Sequence, residues 1–214
     1  MRVLSVNRLK VDPVEPERSS MEVAAEAIRR GGLVGVPTDT LYGIAADPFN
    51  ADAIGRVFAV KGRSQGQPLP LIAADTAQIE ALVGPLSDAA RLLAAEFWPG
   101  PVTLLCPAPP GLVERVTAGT GHVGVRVPAH PVARALCACA GSALTATSAN
   151  RSGEPASALP DVVADAIGGG LDVLLDCGPT SGGAPSTVVN VLDMRLVRAG
   201  AVPWEKIVAC LRRK

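Results

Sequence analysis

Short apolar runs that read as strands alternate with segments of helical periodicity along the whole chain, and 22 Gly and 19 Pro cut these runs apart. The Gly and Pro residues are scattered, so they mark many sharp turns rather than one linker. RVLSV (2–6) reads as a strand. Ser19-Ser20-Met21-Glu22 has the spacing of a capping box, and Val23, Ala24, Ala27 and Ile28 follow at helical spacing until Gly31-Gly32. LVGVP (33–37) is the next strand, 50–60 a helix, and PLPLIAA (68–74) a strand. Helices are expected near 75–83 and 87–97, before the break at Trp98-Pro99-Gly100-Pro101. Strands follow at 102–106 and 122–128, and Pro131 starts a helix through Cys139. A strand at 143–147, a helix near 160–167 and a strand at 172–176 come next. STVVNV (186–191) and RLVR (195–198) read as an antiparallel pair turning at Asp193, and the last helix runs from Trp204 toward Arg212. The expected architecture is one α/β domain over residues 1–214, with an open, twisted, mixed sheet and flanking helices.

Composition narrows the class. Hydrophobic residues make up 48% and charged residues 19%, enough apolar material for an ordinary core. Lys+Arg 20 balance Asp+Glu 20, so no global basic field grips nucleic acid. Aromatics are 3%, too few for stacking platforms along a single strand. The cations are 16 Arg and 4 Lys, and Arg carries a planar fork suited to phosphate and carboxylate. The N-terminal stretch lacks the apolar region of a signal peptide, and no run reaches the roughly 18–20 apolar residues of a membrane span. Five cysteines at 106, 137, 139, 177 and 210 lack metal spacing and read as small buried thiols in a reducing cytoplasm.

Four polar segments interrupt the apolar background, each beside a strand. Pro37-Thr38-Asp39-Thr40-Leu41-Tyr42-Gly43 reads either as a ligand loop or as a helix-capping turn. Lys61-Gly62-Arg63-Ser64-Gln65-Gly66-Gln67 places two cations in a glycine-containing loop able to close on a polyphosphate, without the spacing of a P-loop. Thr145 to Gly153 (TATSANRSG) is crowded with hydroxyls, and Ser148 and Asn150 can donate to phosphate or ribose oxygens. Ser186 opens a strand and Arg198 ends its neighbour. Arg126 alternates with Val125 and Val127 on a short strand, so it faces away from them and calls for an anionic partner. His122 and His130 have neither metal nor triad spacing, no GxSxG elbow is present, and no thiol has a local His. This inventory suits electrostatic positioning of anions rather than covalent catalysis.

Taken in order, these segments resemble the YrdC-like family of threonylcarbamoyl-AMP synthases. GGLVGVPTDTLYGIAADP is similar to the opening signature and KGRSQGQPLPL to the KxR…PL loop. WPGPVT, VGVRVPAHP, TSANRSGEPAS, STVVN and RLVRAGAV follow in the family's order, over about residues 20–203. The resemblance implies a single-domain form with a basic concave face. It implies a nucleotidyl transfer in which L-threonine, bicarbonate or carbon dioxide, and ATP give threonylcarbamoyl-AMP and pyrophosphate, for modification of the adenosine beside the anticodon in tRNA. Mg²⁺ would come with the ATP phosphates rather than in a protein cage. Separate transferase proteins would act downstream, leaving at most weak contact with tRNA here. By the same resemblance Lys61 and Arg63 are catalytic and hold phosphates together with Gln67, Ser148, Asn150 and Arg198. Thr40, Arg126 and Ser186 hold threonine, with Arg126 on its carboxylate. The chain departs from the family pattern at Ile72, where some members carry His, and at Asn190, where an acid is common. Two other readings stay open: a carbamoyl-transfer domain of related fold, and an RNA-binding or regulatory module.

Overall fold

The computed structural model describes residues 6–62 and 66–213. Its strands are β1 (Asn7–Lys10), β2 (Val34–Val36), β3 (Gly43–Ala45), β4 (Leu71–Ile72), β5 (Val102–Pro107), β6 (His122–Arg126), β7 (Leu144–Thr145), β8 (Thr147–Ser148), β9 (Val173–Asp176), β10 (Thr187–Asn190) and β11 (Arg195–Arg198). Its α-helices are α1 (Arg18–Arg29), α2 (Ala51–Lys61), α3 (Thr76–Val83), α4 (Asp88–Phe97), α5 (Glu114–Thr117), α6 (Pro131–Ala140), α7 (Pro160–Ile167) and α8 (Trp204–Leu211).

The α/β class and the mixed pairing agree with the sequence, but the strands form two sheets. One has the order β1-β9-β2-β3-β8 and the other β11-β10-β5-β6-β4-β7. The reason lies in 143–147, expected as one strand. Leu144 and Thr145 pair with β4 in one sheet, while Thr147 and Ser148 pair with β3 in the other. Between them the Ala146 N–H donates to the Pro70 carbonyl at 2.9 Å, so the chain passes from sheet to sheet at one residue. The expected strand 68–74 shortens to β4, since Pro68 and Pro70 have no N–H to donate. β3 and the one-turn α5 were not expected. The first described strand is 7–10 rather than 2–6, and residues 1–5 lie outside the described ones.

α1 buries Met21, Ala24, Ala25 and Ile28, a stripe at helical spacing, but Ser19 does not cap it. The helix already begins at Arg18, and its N-cap Glu17 makes no side-chain capping bond. α2 does follow its sequence signals. Asn50 accepts from the Asp52 and Ala53 N–H groups, and Gly62 in the left-handed conformation ends the helix just after Lys61. α1 and α6 pack together over Val34, Val36, Val173 and Leu175. A second apolar cluster joins Ile54 and Val57 of α2 to Leu104, Val123, Val125 and Ile207. Among the described residues no helix is long and apolar enough to cross a membrane.

Candidate functional site

The passage between the two sheets opens into a cleft of about 560 Å³. Thr38, Thr40 to Gly43, Lys61 at the end of α2, Gln67, Pro68, Pro70 to Ile72, Thr103, Arg126, Ala146 to Ser148, Asn150, Ser152 to Glu154, Ala156, Pro185, Ser186 and Arg198 line it. Every expected site residue that is described lies on this lining: Thr40, Lys61, Gln67, Arg126, Ser148, Asn150, Ser186 and Arg198. Arg63 falls outside the described residues.

Lys61 is 3% exposed. Its ammonium donates to the Ser148 carbonyl, to the Asn150 carbonyl at 3.0 Å and to Asn150 Oδ1 at 3.2 Å, with Ser148 Oγ at 3.5 Å. The Asn150 amide in turn donates to the carbonyls of Arg151 at 2.9 Å and Glu154 at 2.6 Å. The Ser152 N–H donates to the Lys61 carbonyl at 2.7 Å. A buried ammonium needs acceptors, and here they are the atoms of the 148–152 loop. Lys61 therefore shapes the loop that presents Ser148 and Asn150, and lends its charge to the cleft through it.

Arg126 does have an anionic partner, and it is internal. Its Nη1 donates to Asp39 Oδ1 at 3.0 Å, with the two side chains 7% and 11% exposed. Arg126 lines the cleft, whereas Asp39 does not. The second Asp39 oxygen, Oδ2, is buried without a hydrogen-bond partner. Burial pushes the Arg126 pKa down and Asp39 pushes it up, while the charge of Arg198 adds to the lowering. Arg198 is likewise lowered by burial. Both stay charged at neutral pH, since an arginine starts so far above it. Neither Thr38 nor Asp39 caps a helix. The Thr38 hydroxyl donates to the Leu41 carbonyl at 2.7 Å, and the Thr40 carbonyl accepts from the Thr180 hydroxyl and the Gly182 N–H, both at 2.8 Å. Tyr42 is fully buried and donates to the Gly178 carbonyl at 2.8 Å, which makes it a prop for this loop.

At the other wall, Arg198 Nη2 donates to the Ser186 carbonyl at 2.8 Å and to Ser186 Oγ at 3.1 Å. Ser186 Oγ also lies 2.8 Å from Thr103 Oγ1. A Cβ on Gly200 would stand within 2.5 Å of the Ser186 carbonyl carbon and the Thr187 nitrogen. Only glycine lets the backbone after β11 close against Ser186 in this way.

The fold supplies Cys177 with a histidine that no local spacing indicated: His130 Nε2 lies 3.5 Å from its Sγ. His130 Nδ1 accepts the Val132 N–H, so Nε2 carries the proton. Burial lowers the His130 pKa and raises that of Cys177, which leaves a neutral thiol and a neutral ring rather than an activated nucleophile. Among the described residues no cluster of three or more metal-ligating side chains occurs. Glu154 is the one acid among the described lining residues.

Residues 26–200 match the Sua5/YciO/YrdC family, described as "Telomere recombination". The chain belongs to this family. It is 39% identical over 191 residues to the threonylcarbamoyl-AMP synthase of Bacillus subtilis (strain 168), covering 88% of this chain and 55% of that protein. It is 45% identical over 144 residues to the threonylcarbamoyl-AMP synthase of Methylococcus capsulatus, covering 65% and 75%. The crystal structure of P. abyssi Sua5 complexed with L-threonine superposes with a TM-score of 0.90 at 34% identity, over 95% of this chain and 60% of that one. The chain thus spans little more than half the length of the B. subtilis and P. abyssi relatives.

Within this Sua5/YciO/YrdC fold, Asp39 and Thr103 join the site as residues not singled out from the sequence. Thr103 carried one local signal, a hydroxyl in the otherwise apolar run VTLLC. Asp39 lay in a loop already read as polar, but its pairing with Arg126 spans 87 positions, which no local pattern reveals.

Proposed function

We propose that this chain is an L-threonylcarbamoyladenylate synthase, a nucleotidyltransferase that joins L-threonine, bicarbonate or carbon dioxide, and ATP into threonylcarbamoyl-AMP and pyrophosphate. The product would feed the threonylcarbamoyl modification of adenosine beside the anticodon in tRNA, carried out by separate transferase proteins. The observation that carries this reading is the cleft itself, where Arg126, Arg198 and the Lys61-held Ser148–Asn150 loop converge. The synthase names of the relatives and the threonine in the P. abyssi neighbour point the same way.

The chemistry needs no nucleophile from the protein. The threonine amine takes up carbon dioxide as a carbamate. A carbamate oxygen then bonds to the α-phosphorus of ATP as the bond to the β-phosphate oxygen breaks, and pyrophosphate leaves with that electron pair. The difficulty is holding two anions in contact, and orientation of this kind is worth about 7–11 kcal/mol of a barrier. Arg126 would take the threonine carboxylate with its fork, Thr40 and Ser186 would complete that subsite, and Arg198, Ser148, Asn150 and Gln67 would face the nucleotide. Arg63 is assigned to the phosphates by sequence resemblance. Mg²⁺ would enter with ATP, held by phosphate oxygens and water, in keeping with a lining that offers Glu154 as its acid. We place the protein in the cytoplasm, consistent with five free cysteines. We also read residues 1–214 as one domain, because the segment 144–148 contributes a strand to each sheet.

Pyrophosphate release from ATP tests this reading. It is expected only when L-threonine and bicarbonate are both present. Release that ignores either one, or no release with both, overturns it.

A further inference from the structure

Thr103 lines the cleft and has no part in the reading above. It is the second residue of β5, is 2% exposed, and pairs in register with Val188 of β10, two residues beyond Ser186. A Cβ on Gly124 would fall 2.9 Å from the Thr103 methyl carbon. The missing Cβ therefore makes room for the methyl, and the hydroxyl is turned to Ser186 Oγ at 2.8 Å.

Counting protons gives this contact a direction. Arg198 can only donate, and it donates to Ser186 Oγ. Among the described residues the Thr103 hydroxyl has one acceptor in reach, again Ser186 Oγ. A buried hydroxyl proton left unpaired is costly, so Thr103 donates. Both lone pairs of Ser186 Oγ are then occupied, one by Arg198 and one by Thr103. What Ser186 retains is its own proton, in a cleft walled by arginines that suits an anionic ligand.

We propose that Thr103 is a positioning residue that fixes Ser186 as a hydrogen-bond donor to an anionic oxygen of the bound amino acid. This inference rests on the reading of the cleft as an L-threonine site. With Thr103 changed to Val, a Ser186 lone pair is released and its hydroxyl rotates among competing roles. The effect passes through Ser186, so it disappears when Ser186 has no hydroxyl.

Calorimetric titration of L-threonine into the full chain tests the proposal, with Thr103→Val, Thr103→Ala, Thr103→Ser, Ser186→Ala and the Thr103→Val/Ser186→Ala pair. Thr103→Val and Thr103→Ala should each weaken binding about five- to tenfold, the loss of one net hydrogen bond. Thr103→Ser should bind within about twofold of the parent, and Thr103→Val should add nothing in the Ser186→Ala background. Thermal melts identify any variant that fails to fold, and the remaining hydroxyl-free variant then carries the comparison. Parent-like binding by a folded hydroxyl-free variant overturns the role of Thr103, as does an equal loss with and without the Ser186 hydroxyl. If the parent itself does not bind L-threonine, the reading of the cleft fails, and the role of Thr103 falls with it.

Discussion

Burying an ammonium is costly unless acceptors surround it, and Lys61 finds them on the 148–150 loop rather than in solvent. That arrangement sharpens what its removal does. Lys61→Ala strands the carbonyls of Ser148 and Asn150, so the variant should fold but lose about 1–3 kcal/mol. Under the proposed function it should also lose most turnover, because Ser148 and Asn150 are no longer held in place. Urea melts beside pyrophosphate assays check both; a loss of turnover at parental stability would contradict the loop-shaping role. Arg126 teaches a related lesson. Its alternation with valines made the demand for an anion legible in the sequence, but not that Asp39 meets it. The contact joins the end of β6 to a loop distant in sequence, and only the folded chain brings them together.

At the scale of elements, β9 ties the edge strand to the site. Asp176, whose side chain is fully buried at the end of β9, pairs with Arg8 at 2.6 Å and Lys10 at 2.5 Å on β1 and accepts the Gly178 N–H at 2.9 Å. The turn it anchors carries Gly178, which accepts from Tyr42, and leads to Thr180, which donates to the Thr40 carbonyl. Burial opposes the Asp176 charge, but the hydrogen bonds from Lys10, Gly178 and Arg8 outweigh it and hold its pKa below the usual carboxylate value. A carboxyl depressed in the folded state stabilises it above its unfolded pKa of about 4. That stabilisation is lost as pH falls through the lower folded value. Asp176→Asn should therefore cost about 1–3 kcal/mol at pH 7, below the usual figure for a broken buried pair because exposed Lys10 returns to water and Arg8 keeps its ion pair with Asp161. It should also narrow the gap to the parent by pH 3. Denaturant melts at the two pH values check this, and a pH-independent gap would contradict it. The longer helices were legible because caps and apolar spacing repeat over several turns, as in α2. β3 was not, since three residues carry too little period to separate a strand from a loop, and the division of the expected strand 143–147 into β7 and β8 was not, since sheet membership is set by distant partners.

For the whole molecule, a formal net charge of zero excludes a global field but not a local one. Lys61, Arg126 and Arg198 come from α2, β6 and β11, in three separate parts of the chain, and meet on one cleft. Their residue types and neighbouring motifs were visible in the sequence. Their convergence was not, because it depends on the two sheets meeting at Ala146. Under the proposed function, this convergence brings a carbamate of threonine to the α-phosphate of ATP. Incubation of the protein with ATP, L-threonine and ¹³C-bicarbonate, followed by mass spectrometry, tests it most directly. The expected product is an adenylate that contains threonine and one bicarbonate-derived carbon. An adenylate of threonine without the label, or no adenylate at all, would contradict it.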